Sequence, residues 1–379
     1  MEHYLDNAAT TRVSPAAARA AGEAMVVEYG NPSYGHGAGR RAAEALQRHR
    51  AVVAGALGAA PEQVVFTSGG TEGDNWAIRA ALHANRRVGK HVVATAIEHD
   101  AVLAPLRALE REGYEVTYLP PDRLGRITEE QAQAALRPDT ALVCVMLVNN
   151  EVGSVLPVAG IARRIRASGS RALLLCDAVQ GFLKLPFTVD GLGADFVSVS
   201  GHKIHAPKGV GALWYRPGLR PVPLLEGGGQ EGGLRSGTES TPLIAAFAAA
   251  VEEGTAHAGE ERAAMAALRD YAREQLTARV PGLEVLGDGS APHILAVTLP
   301  GYKGEVLVRY LSDRGICVSS GSACHRGRPS HVFAALGLDK PRRDGALRVS
   351  FSRENDRADV DALAGALAEA RRELFRSMS

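Results

Sequence analysis

Lys203 stands in the stretch SGHKIHAPKG, just past an alternating β-branched strand (Phe196, Val197, Val199) and just before a second strand that resumes at Val210. A lysine fixed at the end of a buried strand loses its proton more easily than a solvated one. It then becomes an amine nucleophile, the species that condenses with a carbonyl to make a Schiff base. An ordinary loop lysine is the bland alternative, so the weight of the reading rests on the residues around it.

Several other polar residues occur where apolar runs stop. TSGGTEGDNW joins a strand to a helix start through Gly70 and Thr71, and the free N–H groups and positive end of such a turn make an anion site. No G-K-[ST] closes it, which argues against a nucleoside triphosphate. Asp177 ends the run ALLLC, where a carboxylate is costly unless it meets a cation or donor; a protonated ring nitrogen or a helix N-cap would each suit it. His99, in AIEHDAV, can work as an acid/base or lie flat on an aromatic ring, a plain structural histidine being the alternative. Asn150 and Gln180 add neutral donors on the same edge. GGGQEGGLRSGTES carries Arg235 and Thr238 on a glycine-dense segment whose amides can approach an anion. Arg348, on the apolar strand ALRVSF, asks for a carboxylate, either of a ligand or of an internal ion pair. Cys324 sits in SSGSACHRGRPSH, among small residues and basic neighbours that favour thiolate and leave sulfur accessible. Cys144, Cys176 and Cys317 read instead as small core hydrophobes.

These residues need a scaffold. From Val64 onward QVVFTS, HVVATAIEH, YEVTYLP, ALVCVML, ALLLCDA and DFVSVS alternate with stretches of helical period, opening near Thr71, Ala101 and Val158. Continuous apolar strands between helices predict an α/β fold with a mostly parallel sheet sandwiched by helix layers, and ligands in such sheets bind at the carboxyl ends of the strands. After about Gly254 the character changes to a charged, alanine-rich helix (260–279), PHILAVTLPG, a helix near 305–314, GICVSSGSAC, GALRVSFSRE and a last helix over 359–375. This predicts a large α/β domain over 14–254 and a smaller α+β domain made of 1–13 plus 255–379, which carries the cysteine loop.

Composition narrows the function. With 43 basic and 42 acidic residues among 379, the net charge of +1 leaves no electrostatic footprint for nucleic acid or an anionic membrane. Four cysteines without C-x-x-C or His/Cys spacing argue against a disulfide framework and against a metal site. No leader-like start and no apolar stretch of spanning length is present, so a cytoplasmic protein acting on a small molecule is expected.

Taken together, LDNAATT, GNPSYGHGAG, TSGGTEGDN, IEH, NNEVG, DAVQ, SGHKIHAPKG, GGGQEGGLRSGT and SSGSAC resemble, in order and over essentially the whole chain, the cysteine desulfurases. These belong to the class V aminotransferase group of fold type I pyridoxal-phosphate enzymes. The resemblance implies that Lys203 holds pyridoxal 5'-phosphate as a Schiff base and removes the Cα proton of L-cysteine. It implies that Asp177 pairs with the ring nitrogen, His99 stacks on the ring, and Asn150 and Gln180 bond its phenolic oxygen. Gly70, Thr71, Ser200 and His202 would bind the phosphate, joined by Thr238 of a neighbouring subunit, which makes a homodimer part of the site. Asn31 and Arg348 would hold the substrate carboxylate, and Cys324 would take the sulfur as a persulfide. SSGSAC resembles the long-loop branch of the family. The chain departs from the pattern at Ala206, where a glycine is usual. Pro329 follows Cys324 sooner than in many long-loop relatives, and the chain stops at Ser379 without the tail that some relatives use for scaffold docking. A selenocysteine lyase or aminotransferase on the same fold, and an inactive scaffold protein, are the rival readings, and the sulfur acceptor is unidentified.

Overall fold

The computed structural model describes residues 2–320 and 330–376. After a short first strand, β1 (His3–Tyr4), the chain builds one large sheet from β2 (Val64–Thr67), β3 (His91–Thr95), β4 (Glu115–Leu119), β5 (Thr140–Cys144), β6 (Leu173–Asp177), β7 (Phe196–Ser200) and β8 (Gly211–Tyr215). Their spatial order is β2-β8-β7-β6-β5-β3-β4. Every pair from β4 to β7 is parallel, while β8 runs antiparallel to both β7 and β2. The α/β class expected from the apolar runs is therefore the one found. β3, β5, β6 and β7 are buried from end to end, which is why they read as continuous apolar runs rather than alternating ones. β4, at the edge, keeps polar residues and partial exposure.

Helices α1 (Pro15–Val26), α2 (Gly37–Leu57), α3 (Gly70–Ala84), α4 (Asp100–Arg111), α5 (Glu129–Ala134), α6 (Val158–Ala167), α7 (Val189–Leu192) and α8 (Thr241–Ala256) accompany this sheet. α3 buries Trp76, Ile78 and Leu82 on the sheet, and α1 and α2 pack on α8. The remainder comprises α9 (Ala258–Arg279), α10 (Gly304–Ser312), α11 (His331–Ala335), α12 (Lys340–Asp344) and α13 (Arg357–Glu373) with an antiparallel sheet of β9 (Glu284–Leu286), β10 (Ile294–Thr298), β12 (Ser319–Ser320) and β13 (Ala346–Ser350). Its core joins Leu276, Leu307, Phe351 and Leu363, and Leu5 belongs to it. The N-terminal residues pack there through β1 beside β11 (Ile316–Cys317) and Ala8 N donating to Ser350 Oγ at 2.8 Å. Among the described residues no helix is long and apolar enough to cross a membrane.

Candidate active site

The large sheet sends β2, β3, β5, β6 and β7 toward one edge, and each ends in a polar turn. Between those turns lies a cavity of about 350 Å³. Its wall brings together Gly70, Thr71, His99, Asn150, Asp177, Gln180, Ser200, His202, Lys203 and Arg348, all picked out from sequence.

At one end the cavity meets the start of α3. This helix has no side-chain cap, so its first-turn amides keep no intrahelical acceptor. The backbone there is shaped by glycine: Gly69 has φ 150°, and a Cβ on Gly70 would meet Val179 Cγ2 at 2.6 Å. Thr71, Ser200 and His202 surround this end. His202 faces Thr10 Oγ1 at 3.2 Å through Nδ1, and burial, with Lys203 and Lys208 nearby, pulls its pKa down to about 4. It serves there as a neutral ring. Together these groups offer neutral donors and a helix dipole, the chemistry of an anion cradle.

The opposite end is acidic. Asp177 is 6% exposed; its Oδ1 accepts from Val179 N at 2.9 Å. Burial raises the Asp177 pKa, opposed by the Val179 amide and the charge of Lys203. Asp74, from the second turn of α3, reaches the same wall with its Oδ1 buried and unpartnered among the described residues. Burial and the neighbouring Asp177 push it well above the carboxylate range. Behind them Glu98 is fully buried, accepts from Thr95 Oγ1 at 2.7 Å and Met146 N at 2.8 Å, and is pushed up to about 8 by burial. A cation against Asp177 would restore its ionised form. His99 caps α4, its Nδ1 accepting from Ala101 N at 3.0 Å, so a neutral ring carries its proton on Nε2.

Between the ends, Lys203 closes a 3-10 turn (Gly201–Lys203) and donates from Nζ to Ala8 O and Ala9 O, each at 2.8 Å. Two residues on, His205 takes the left-handed conformation at φ 69°. Thr11 Oγ1 receives its N–H at 2.7 Å and Arg12 O its ring Nδ1–H at 2.9 Å, offsetting a cost of roughly 1–2 kcal/mol. Ala206 keeps a negative φ, so the turn has no need of a glycine there. Arg348, 5% exposed, donates to Asn150 O at 2.9 Å and Ser319 Oγ at 3.1 Å and pairs with Asp6 Oδ1 at 2.9 Å; its Nε has no partner among the described residues. It is both an internal ion pair and a cavity residue.

Some sequence picks lie elsewhere. Asn31 sits off the wall, with Oδ1 accepting from Ser33 N at 2.9 Å, and Thr238 is exposed on its own loop. Arg235 pairs with Glu72 at 2.8 Å. Cys324 lies outside the described residues. Sequence reasoning missed Asp74, Glu98 and the carbonyls of Ala8 and Ala9. The signal for the first two was available: charged residues inside TSGGTEGDN and IEH, next to residues already chosen.

The aminotransferase class-V family profile matches residues 3–363. Cysteine desulfurases of Trichormus azollae and Cereibacter sphaeroides are 41% and 43% identical, covering 97% and 95% of this chain and 92% and 93% of their own. Among solved structures, a NifS-like protein superposes with a TM-score of 0.93 at 35% identity, covering 99% of this chain and all of its own. One described as SspA in complex with cysteine gives 0.82 at 34%, over 93% of this chain and 99% of its own.

Proposed function

Because the chain belongs to the class V aminotransferase family, we propose that it is a pyridoxal-5'-phosphate-dependent cysteine desulfurase, converting L-cysteine to L-alanine with transfer of sulfur to an enzyme cysteine. The observation that carries this reading is one cavity that joins a lysine amine, a buried carboxylate and an uncapped helix N-terminus. The cavity fits the cofactor: the uncapped amides suit its phosphate, Asp177 suits a ring N–H, and the cradle at Gly70 leaves no room for a Cβ.

When bound, the cofactor supplies an electron sink for the pair released at the substrate Cα. Everything else is assigned to the chain's own residues. Lys203 Nζ, held by two carbonyls, takes the proton from Cα and returns one. Asp177 holds the ring proton in place, and His99 covers the ring face. Arg348, on the cavity wall, meets the substrate carboxylate with its guanidinium, and Asn150 and Gln180 orient the ring. Cys324, as thiolate, attacks the substrate sulfur; the new S–S bond forms as the C–S bond breaks, and the electron pair stays on the carbon skeleton, which is protonated and leaves as alanine.

We assign the two lobes to 14–254 and to 1–13 plus 255–379. We also place Thr238 and Asn31 at the site of a second copy in a cytoplasmic homodimer. Support comes from their position off the cavity of their own chain and from the exposed apolar residues Val26, Val27 and Tyr29 beside Asn31. The persulfide would serve iron–sulfur assembly or thiolation through an acceptor protein.

The test is an assay of alanine and persulfide from L-cysteine with wild type and Cys324→Ser side by side. Wild type should yield both. Cys324→Ser should bind L-cysteine and change the cofactor spectrum while forming almost no persulfide. Normal sulfur release by that variant would remove Cys324 from the role, and a wild type that binds no pyridoxal phosphate would overturn the function itself.

A further inference from the structure

We propose that His293, in the turn that leads into β10, is a positioning residue that, together with Ala8 O, locks the Gln180 amide in the orientation it presents to the cofactor cavity. The inference rests on the function proposed above.

A glutamine amide has nearly the same shape either way round, yet one end donates and the other accepts. Ala8 O, a carbonyl, can only accept, so the Gln180 atom 2.8 Å from it is Nε2. Oε1 therefore lies at the other end, 3.3 Å from His293 Nε2. Because Oε1 can only accept, His293 must carry its proton on Nε2. The imidazole is fully buried, and its Nδ1 has no partner among the described residues. Lys184, Arg269, Arg348 and Lys203 are the charges around it; they and burial hold it well below its usual range, so the ring is neutral and Nδ1 is bare.

The ring has no freedom to drift. His293 O accepts from Phe351 N at 2.9 Å, and the next residue, Ile294, begins β10, where it packs against Gly153. The result is a chain of contacts from the small lobe to the reactive amine: His293 to Gln180 Oε1, Gln180 Nε2 to Ala8 O, and Ala8 O to Lys203 Nζ. Of the two Nε2 protons, Ala8 O takes one. The second is left for the cavity, which makes this wall a donor site matched to an oxygen that bears negative charge. Without His293 the Oε1 atom is a buried acceptor with no donor, and the amide keeps only its bond to Ala8 O to hold its orientation.

The experiment titrates pyridoxal phosphate into cofactor-free protein, reading its dissociation constant and the pH midpoint of its visible absorbance change. His293→Leu should raise the dissociation constant about tenfold, as expected when a buried polar partner is lost, and displace the midpoint. His293→Gln, whose uncharged amide places a donor near the same point, should stay within about twofold of wild type. In a Gln180→Leu background, His293→Leu should add nothing further. Should His293→Leu not fold, His293→Asn, a polar amide too short to reach Gln180, takes its place. The proposal is overturned if His293→Gln behaves like His293→Leu, if the His293→Leu effect persists undiminished beside Gln180→Leu, or if wild type and both replacements bind alike. A wild type that does not bind pyridoxal phosphate overturns the function as well, which separates the two failures.

Discussion

The two ends of the cavity solve opposite problems with opposite means. At the α3 end, where we propose that the phosphate binds, the protein places uncapped amides, hydroxyls and a histidine whose pKa is pulled down to about 4. At the other end, where we propose that a ring N–H binds, it buries Asp177 and Asp74, with Glu98 behind them, their pKa values raised. The anion is met by neutral dipoles and the cation by carboxyls that are uncomfortable until it arrives. Dipoles fixed by the backbone need no counter-charge when the site is empty of ligand, whereas a buried carboxylate does. Substitution of Asp177, the carboxyl placed to meet the cation, should therefore have the larger effect.

Asp177→Asn tests that first. It keeps shape and removes the charge, and turnover should fall by about 10²–10³, the range seen when one preorganised electrostatic contact is lost. A few-fold loss in steady-state rate would show that the acidic end needs no anion. Thr71→Val probes the other end. Loss of one hydrogen bond to a charged group should weaken pyridoxal phosphate binding by about tenfold while leaving unphosphorylated pyridoxal almost unaffected.

Stability against pH should separate the ends by sign. Glu98, folded, titrates near 8 rather than 4.5, so its contribution is full below about pH 4.5 and is lost as pH rises through 8. His202, folded, titrates near 4 rather than 6.5, so its contribution is full above pH 6.5 and is lost as pH falls through 4. In thermal melts of cofactor-free protein, Glu98→Gln should flatten the alkaline limb and His202→Asn the acid limb. Equal flattening of both limbs by either variant would contradict the assignment. The smallest effect is expected from Asp74→Asn, since a carboxyl held protonated loses little on becoming an amide. Its melting free energy should stay within about 0.5 kcal/mol of wild type, and a larger drop would mean that Asp74 is ionised.

Why were some of these residues legible in sequence and others not? Asp177, His99, Gln180 and Lys203 follow apolar runs, and the parallel sheet converts that position in sequence into position on one edge. Asn149 and Asn150 follow the same run, but only the structure separates them. Asn149 fixes the turn, its Oδ1 accepting from Glu151 N and Val152 N at 2.9 Å each, while Asn150 faces the cavity. Asp74 sits inside a helix, where an aspartate usually means solvent. Ala8 and Ala9 act through carbonyls, which no side chain announces, and His293 reaches Gln180 across 113 positions of sequence. Helices α1 and α2 carry no chemical motif of their own apart from GNPSYGHGAG between them, so nothing drew attention to them.

The joining of Ala8 to Ser350 and of Asp6 to Arg348 has a consequence for how the protein is born. The segment that clasps the Lys203 amine leaves the ribosome well ahead of the strand it docks on, since Ala8 and Ser350 are 342 positions apart. At roughly 5–20 residues per second, the early segment waits about 20–70 s for its partner strand to be made. A nascent chain halted before residue 346 would display the lysine with its clasp not yet docked on β13.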